Sequence, residues 1–278
     1  MDLTEEDFAR RVAVSMACTL LAFAFLFAFT PGAFAQTEPR PAAPTTESKG
    51  LLTRSAFSVT VAGMETDDPR FSLAERSRAD LDLVGYGKGR VNFFVDAELV
   101  MGSERRAFDL NQSNIAFETS ASYRVGVIDI AAVAHHVSRH VVDREFDRVT
   151  AWHTLGPRIE QTIVTPRSTV DVSAEYGRVV QHTFVDYTWT SQLTLRIDRT
   201  LGPVAHLFAT GSGGWVGVDR TALGRDRQNG RRIEGGLRLL GQRAAFDLFA
   251  AHERRVDGYP TSREASSWLE FGFRLGTR

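Results

Sequence analysis

His136 and Ser138 stand two residues apart in the stretch IDIAAVAHHVSRH, residues 128–140. In extended backbone that spacing puts both side chains on one face. Placed so, the histidine can take the serine proton while the hydroxyl oxygen attacks a carbonyl carbon. The chemistry to expect is ester hydrolysis through a serine nucleophile. Asp147 and His153 follow, and either could orient the imidazole. The same residues also read as the polar end of a strand leaving an apolar layer. His135, His136 and His140 do not make a zinc site in a strand, because positions four apart are separated by roughly 13 Å.

The elements that must position these residues are strands. Apolar and polar side chains alternate through most of the chain, and no stretch shows a convincing helical period. In VNFFVDAELVM, Val91, Phe93, Val95, Ala97, Leu99 and Met101 share one face and Asn92, Asp96 and Glu98 the other. VDYTWTSQLTLR, TVDVSAEY, RIEGGLRLL and the terminal WLEFGFRLG repeat the pattern. About twelve strands result, beginning near residues 55, 79, 91, 113, 127, 149, 168, 185, 204, 231, 245 and 267. Short connections alternate with longer, more polar ones.

Together these features predict an all-β fold, a transmembrane antiparallel β-barrel of about 12 strands with both termini periplasmic. A secreted β-sandwich alternates too. Here the polar face carries full charges, as a wet lumen allows. The apolar face carries Tyr123, Tyr176, Tyr187 and Trp189 near strand ends, as an interfacial girdle would.

The barrel fixes the direction of the 128–140 face. Asp129 is charged and faces the lumen, so Ile128, Ile130, Ala132 and Ala134 face lipid. His136, Ser138 and His140 continue that lipid-facing series. On strand six the same parity puts Asp147 and His153 on the lipid side. By count, Ser138 lies eleven residues above the short periplasmic turn. At about 2.3 Å of height per tilted residue, this is near the top of a ~25 Å apolar band. An ester at that height belongs to a membrane lipid.

His136-Val137-Ser138 resembles the H-x-S element shared by outer membrane phospholipase A and the lipid A deacylases of the outer membrane. HHVSRH also resembles an H-x-S-x-H stretch in an uncharacterised family of bacterial barrels. The resemblance implies an outer-membrane hydrolase of phospholipid or lipid A esters, with His136 and Ser138 catalytic. Through the phospholipase it also implies calcium as a cofactor, with Asp143, Glu145 and Asp147 as loop acids able to bind it. The chain departs from those families in two places. Arg139 follows the serine where they have Asn, and Thr150 stands near the position of their third member, an Asn or Glu. The third catalytic residue therefore stays open between Asp147 and His153. The alternative is a non-enzymatic barrel, structural or passing a small solute.

Composition narrows the partners. The chain has 33 basic and 34 acidic side chains in 278 residues, which argues against nucleic acid. The expected partners are outer-membrane lipids and the barrel assembly machinery, with pairing into a homodimer left open. Arg10 and Arg11 precede an apolar run, a Pro31-Gly32 break and Ala33-Phe34-Ala35, the order of a secretory signal peptide. The expected organisation is a signal peptide over 1–35, a disordered periplasmic leader over 36–54 and the barrel over 55–278. Cys18, the one cysteine, lies within the apolar run, so no thiol chemistry is expected of the mature chain.

Overall fold

A computed structural model describes residues 48–144 and 149–277. The signal peptide expected over 1–35, and the leader as far as residue 47, lie outside them. Twelve strands follow in chain order: β1 Ser48–Glu65, β2 Leu73–Gly87, β3 Gly89–Gly102, β4 Asp109–Val125, β5 Ile128–Val141, β6 Thr150–Val164, β7 Ser168–Thr183, β8 Tyr187–Thr200, β9 Ala205–Val218, β10 Gln228–Leu240, β11 Ala244–Arg255 and β12 Ser266–Thr277. Each pairs antiparallel with its sequence neighbours, and β1 closes on β12, leaving no free edge. Closure satisfies the backbone groups that hydrocarbon cannot hydrogen-bond. A single helical turn, α1 Arg220–Leu223, lies between β9 and β10.

One end of the barrel carries the tight turns. Between β4 and β5 the chain reverses over Gly126 and Val127, and Gly126 takes a positive φ of 63° that glycine adopts without strain. Ser48 pairs with Gly87 and Thr277 with Ala244, so both ends of the described chain lie at this turn end. The opposite end carries the longer loops.

The strands that begin furthest ahead of the alternation are β1, at Ser48, and β2, at Leu73. In β2, Glu75 and Ser77 point outward while Arg76 and Arg78 point inward, so both faces are polar and the period is hidden. A correction applies in β8. The register shifts between Tyr187 and Trp189, so the two do not share a face. Trp189 stacks outside on Tyr176, while Tyr187 is buried in the lumen and bonded to Asp257. Tyr187 is therefore not part of an outer aromatic girdle.

The outer surface is an apolar belt, and on four strands a polar residue marks its upper limit. Counting outward positions from the turn end, β5, β10 and β11 each present four apolar or small residues and then a polar one, and β7 does the same after Ser168. The polar residues are His136, Arg178, Arg231 and His252.

Inside, a set of buried charges pairs in a network. Arg76 meets Glu98 at 2.8 Å and Glu270 at 2.7 Å; Arg232 meets Glu234 and Glu270 at 2.8 Å and Glu253 at 2.9 Å. Arg255 bridges to Glu98 at 2.6 Å. A buried carboxylate without a counter-charge would cost several kcal/mol. Here Glu98 and Glu270 are each held by two guanidiniums.

The loop after β11 folds into the mouth at the loop end. Residues Val256, Asp257, Gly258, Tyr259 and Pro260 are buried. Arg139 donates to the carbonyl oxygens of Val256 and Asp257 at 3.4 and 2.5 Å, and Thr150 donates to that of Pro260 at 3.0 Å. The Tyr187 hydroxyl donates to Asp257 at 2.7 Å. The loop thus reaches from β11 across to β5, β6 and β8, and Val256 packs there with Val137, Trp152 and Val216. Below this plug, near the turn end, a cavity of about 280 Å³ is lined by Arg54, Arg78, Asp80, Arg196, Arg238 and Asp247 among others.

Candidate active site

Strand β5 is paired on both sides without a register break from Ile128 through Arg139. No bulge turns Ser138 inward. Val137 lies in the lumen's apolar cluster and Arg139 holds the plug, so both point inward. His136 and Ser138, between and beside them, point outward, as Asp129 required.

In register, His136 lies between Phe117 of β4 and His153 of β6, and Ser138 lies between Ile115 and Ala151. The His136 and His153 ring centroids are 4.4 Å apart and the planes tilted by 40°. The Phe117 ring lies parallel-offset on the other side at 6.1 Å. The imidazole of His136 is thus sandwiched, which restricts its rotation. Its Nδ1 has no hydrogen-bond partner among the described residues. No hydrogen bond joins His136 to Ser138 or to His153 there. Ser138 is covered by its neighbours and only 7% exposed.

Of the residues with expected roles, the structure brings together His136, Ser138 and His153. Asp147 lies outside the described residues, as does Glu145. Asp143 is described, and its carboxylate accepts from Arg106 at 2.8 Å. His135 points into the lumen, 3.9 Å from Glu175, and cannot share a metal with His136 on the other face. Sequence reasoning missed two features. Phe117 stacks on His136, which follows only from strand pairing. Gln181 stands beside His153, and a register shift in β6–β7 past Val179 hides its outward direction.

Arg139 departs from the families that His136-Val137-Ser138 resembles, and the structure gives it another use. Its guanidinium holds the plug loop through two backbone carbonyls and lies over the Trp152 ring, 5.7 Å from the centroid.

No protein-family model and no curated protein matches this chain. Among solved structures, an outer membrane channel from Pseudomonas putida F1 superposes with a TM-score of 0.56 at 10% identity, covering 87% of this chain and 99% of that one. LpxR from Salmonella typhimurium gives a TM-score of 0.49 at 8% identity, covering 80% of this chain and 99% of its own. At such identities a likeness speaks to fold alone. The fold is that of the bacterial outer-membrane β-barrels, and the apolar outer belt suits that membrane.

Proposed function

We propose that this barrel is an ester hydrolase acting on outer-membrane lipids, with Ser138 as nucleophile and His136 as general base. The observation that carries the reading is direction. His136 and Ser138 occupy consecutive outward positions on an unbroken strand, at and just beyond the polar limit of the apolar belt. With the loops toward the outside of the cell and the termini periplasmic, that level holds the ester groups of outer-leaflet lipids.

The step needs only these side chains and a lipid ester. Ser138 Oγ bonds to the acyl carbonyl carbon as its proton passes to a ring nitrogen of His136. The C–O bond to the alcohol breaks, and the protonated imidazole returns the proton to the leaving oxygen. Water then attacks the acyl-serine with His136 again accepting the proton, releasing fatty acid and restoring the hydroxyl. His153 is the residue placed to orient His136. A small change of ring rotamer would let one imidazole N–H meet a nitrogen of the other. Hydrogen bonds at apo catalytic sites are often unformed until substrate binds.

The test is fatty-acid release from phospholipid or lipid A by the purified, folded protein, with and without calcium. Release should occur in the wild type and be absent in Ser138→Ala. If the folded wild type releases none under either condition, the hydrolase reading is wrong.

A second reading, a non-enzymatic structural barrel, is favoured by two observations. Ser138 is covered, and His136 is one of four polar residues, with Arg178, Arg231 and His252, that stand where the apolar belt ends on their strands. A small-solute channel draws less support, because the plug loop and the Arg–Glu network occupy the lumen.

A further inference from the structure

The outward face of β10 and β11 carries a second polar cluster at the loop end. Arg231 and Arg254 lie directly opposite each other in the register. Opposed Cβ atoms in an antiparallel pair are about 4.5–5.5 Å apart, and like charges so placed repel. Arg254 is anchored: its guanidinium donates to the Asn229 side-chain oxygen at 2.9 Å and to the Asn229 carbonyl. Arg231 is exposed and has no ion pair or hydrogen bond among the described residues. The register neighbours add no acid. Gly213 lies beside Arg231, Ser267 beside Arg254, and His252 one outward step toward the belt.

This arrangement inverts the one in the lumen. There, guanidiniums are spaced among carboxylates. Here, two arginines stand opposite each other with no acidic register neighbour, and an external anion would relieve the repulsion between them. They sit where the apolar belt ends, the level of lipid headgroups. A guanidinium fork matches phosphate geometry with two parallel hydrogen bonds, and Arg is favoured where such recognition matters.

We infer that Arg231 and Arg254 form a binding site for the phosphate of a membrane-lipid headgroup. The site lies across the barrel from β5 and does not rest on the hydrolase reading.

Native mass spectrometry of the purified protein in detergent micelles tests it, with phosphatidic acid and diacylglycerol of matched chains as probes. Phosphatidic acid should be retained and diacylglycerol not. Arg231→Gln with Arg254→Gln should weaken retention by roughly tenfold or more, because hydrogen bonds to a charged phosphate are among the strong ones. Arg231→Gln alone, at an exposed side chain, keeps the test valid if the double variant misfolds, and should lose part of the retention. Equal retention of the two lipids overturns the site, as does retention unchanged by the substitutions. Inorganic phosphate that binds with the same arginine dependence, and displaces the lipid at millimolar concentration, would reassign it to free phosphate.

Discussion

The lumen and the outward rim of β5 and β6 are both polar regions of one sheet, and they use their polar groups differently. In the lumen, Arg76, Arg232 and Arg255 each meet at least two carboxylates. On the rim, His136 touches two rings, its Nδ1 is unpartnered, and Ser138 makes no hydrogen bond among the described residues. Paired groups hold a structure together. Unpaired groups placed at a boundary are free to meet something else. On the proposed function, the lumen serves as scaffold and the rim as the place for chemistry.

Exchanging the readouts of two substitutions is the strongest way to break that division. Glu270→Leu strips Arg76 and Arg232 of a shared carboxylate in a fully buried site, and breaking such a pair costs about 3–5 kcal/mol. The midpoint of urea unfolding in micelles should fall accordingly. Any protein that still folds should keep its specific activity. Ser138→Ala removes a hydroxyl with no hydrogen-bond partner among the described residues, so its stability should change by less than about 1 kcal/mol. Its hydrolysis should drop by on the order of 10³-fold or more. If Ser138→Ala instead unfolds the barrel and leaves activity per folded molecule intact, the rim is scaffold after all.

The comparison also shows what a sequence can reveal. Strand β5 was legible because its parity is anchored by one unambiguous charge, Asp129, and no bulge follows. Tyr187 was misread because the β8 register shift occurs within two residues, and alternation has no mark for it. The start of β2 was hidden by polar residues on both faces. The plug was illegible for a different reason. Arg139 meets the Asp257 carbonyl 118 residues away, and a backbone carbonyl leaves no signature in sequence. Arg139 thus looked like a departure from a motif when it serves the opposite face of the strand.

That latch gives a sharper test of the two faces, with an intermediate effect. Arg139→Met keeps apolar contact with Trp152 but leaves the carbonyls of Val256 and Asp257 without their donor. A buried group left unpaired costs about 1–3 kcal/mol. The plug should loosen, and single-channel recordings in planar bilayers should show openings rare or missing in the wild type. Residues 136 and 138 should keep their outward direction, so hydrolysis should persist. Loss of hydrolysis with the plug still shut would mean that the faces are coupled through the β5 backbone.

The smallest expected effect concerns His153, which the proposed mechanism uses only to position His136 and keeps off the ester. It is the described side chain best placed to fix the His136 ring from β6, with Phe117 confining the ring from β4. Its removal should leave the nucleophile and base in place but let the imidazole wander, and misplacement of about 1 Å can lower a rate by 10²-fold. His153→Ala should therefore lower kcat roughly tenfold to a hundredfold with KM little changed. His153→Gln, which can still donate or accept a hydrogen bond, should recover part of the loss. A simple packing role would not produce that recovery, because the amide does not reproduce the flat ring contact. If His153→Ala matches the wild type, the orienting group lies elsewhere, and Asp147→Ala should then show the decrease. If neither does, His136 is oriented by packing against Phe117 alone, and Phe117→Leu should be the change that costs activity.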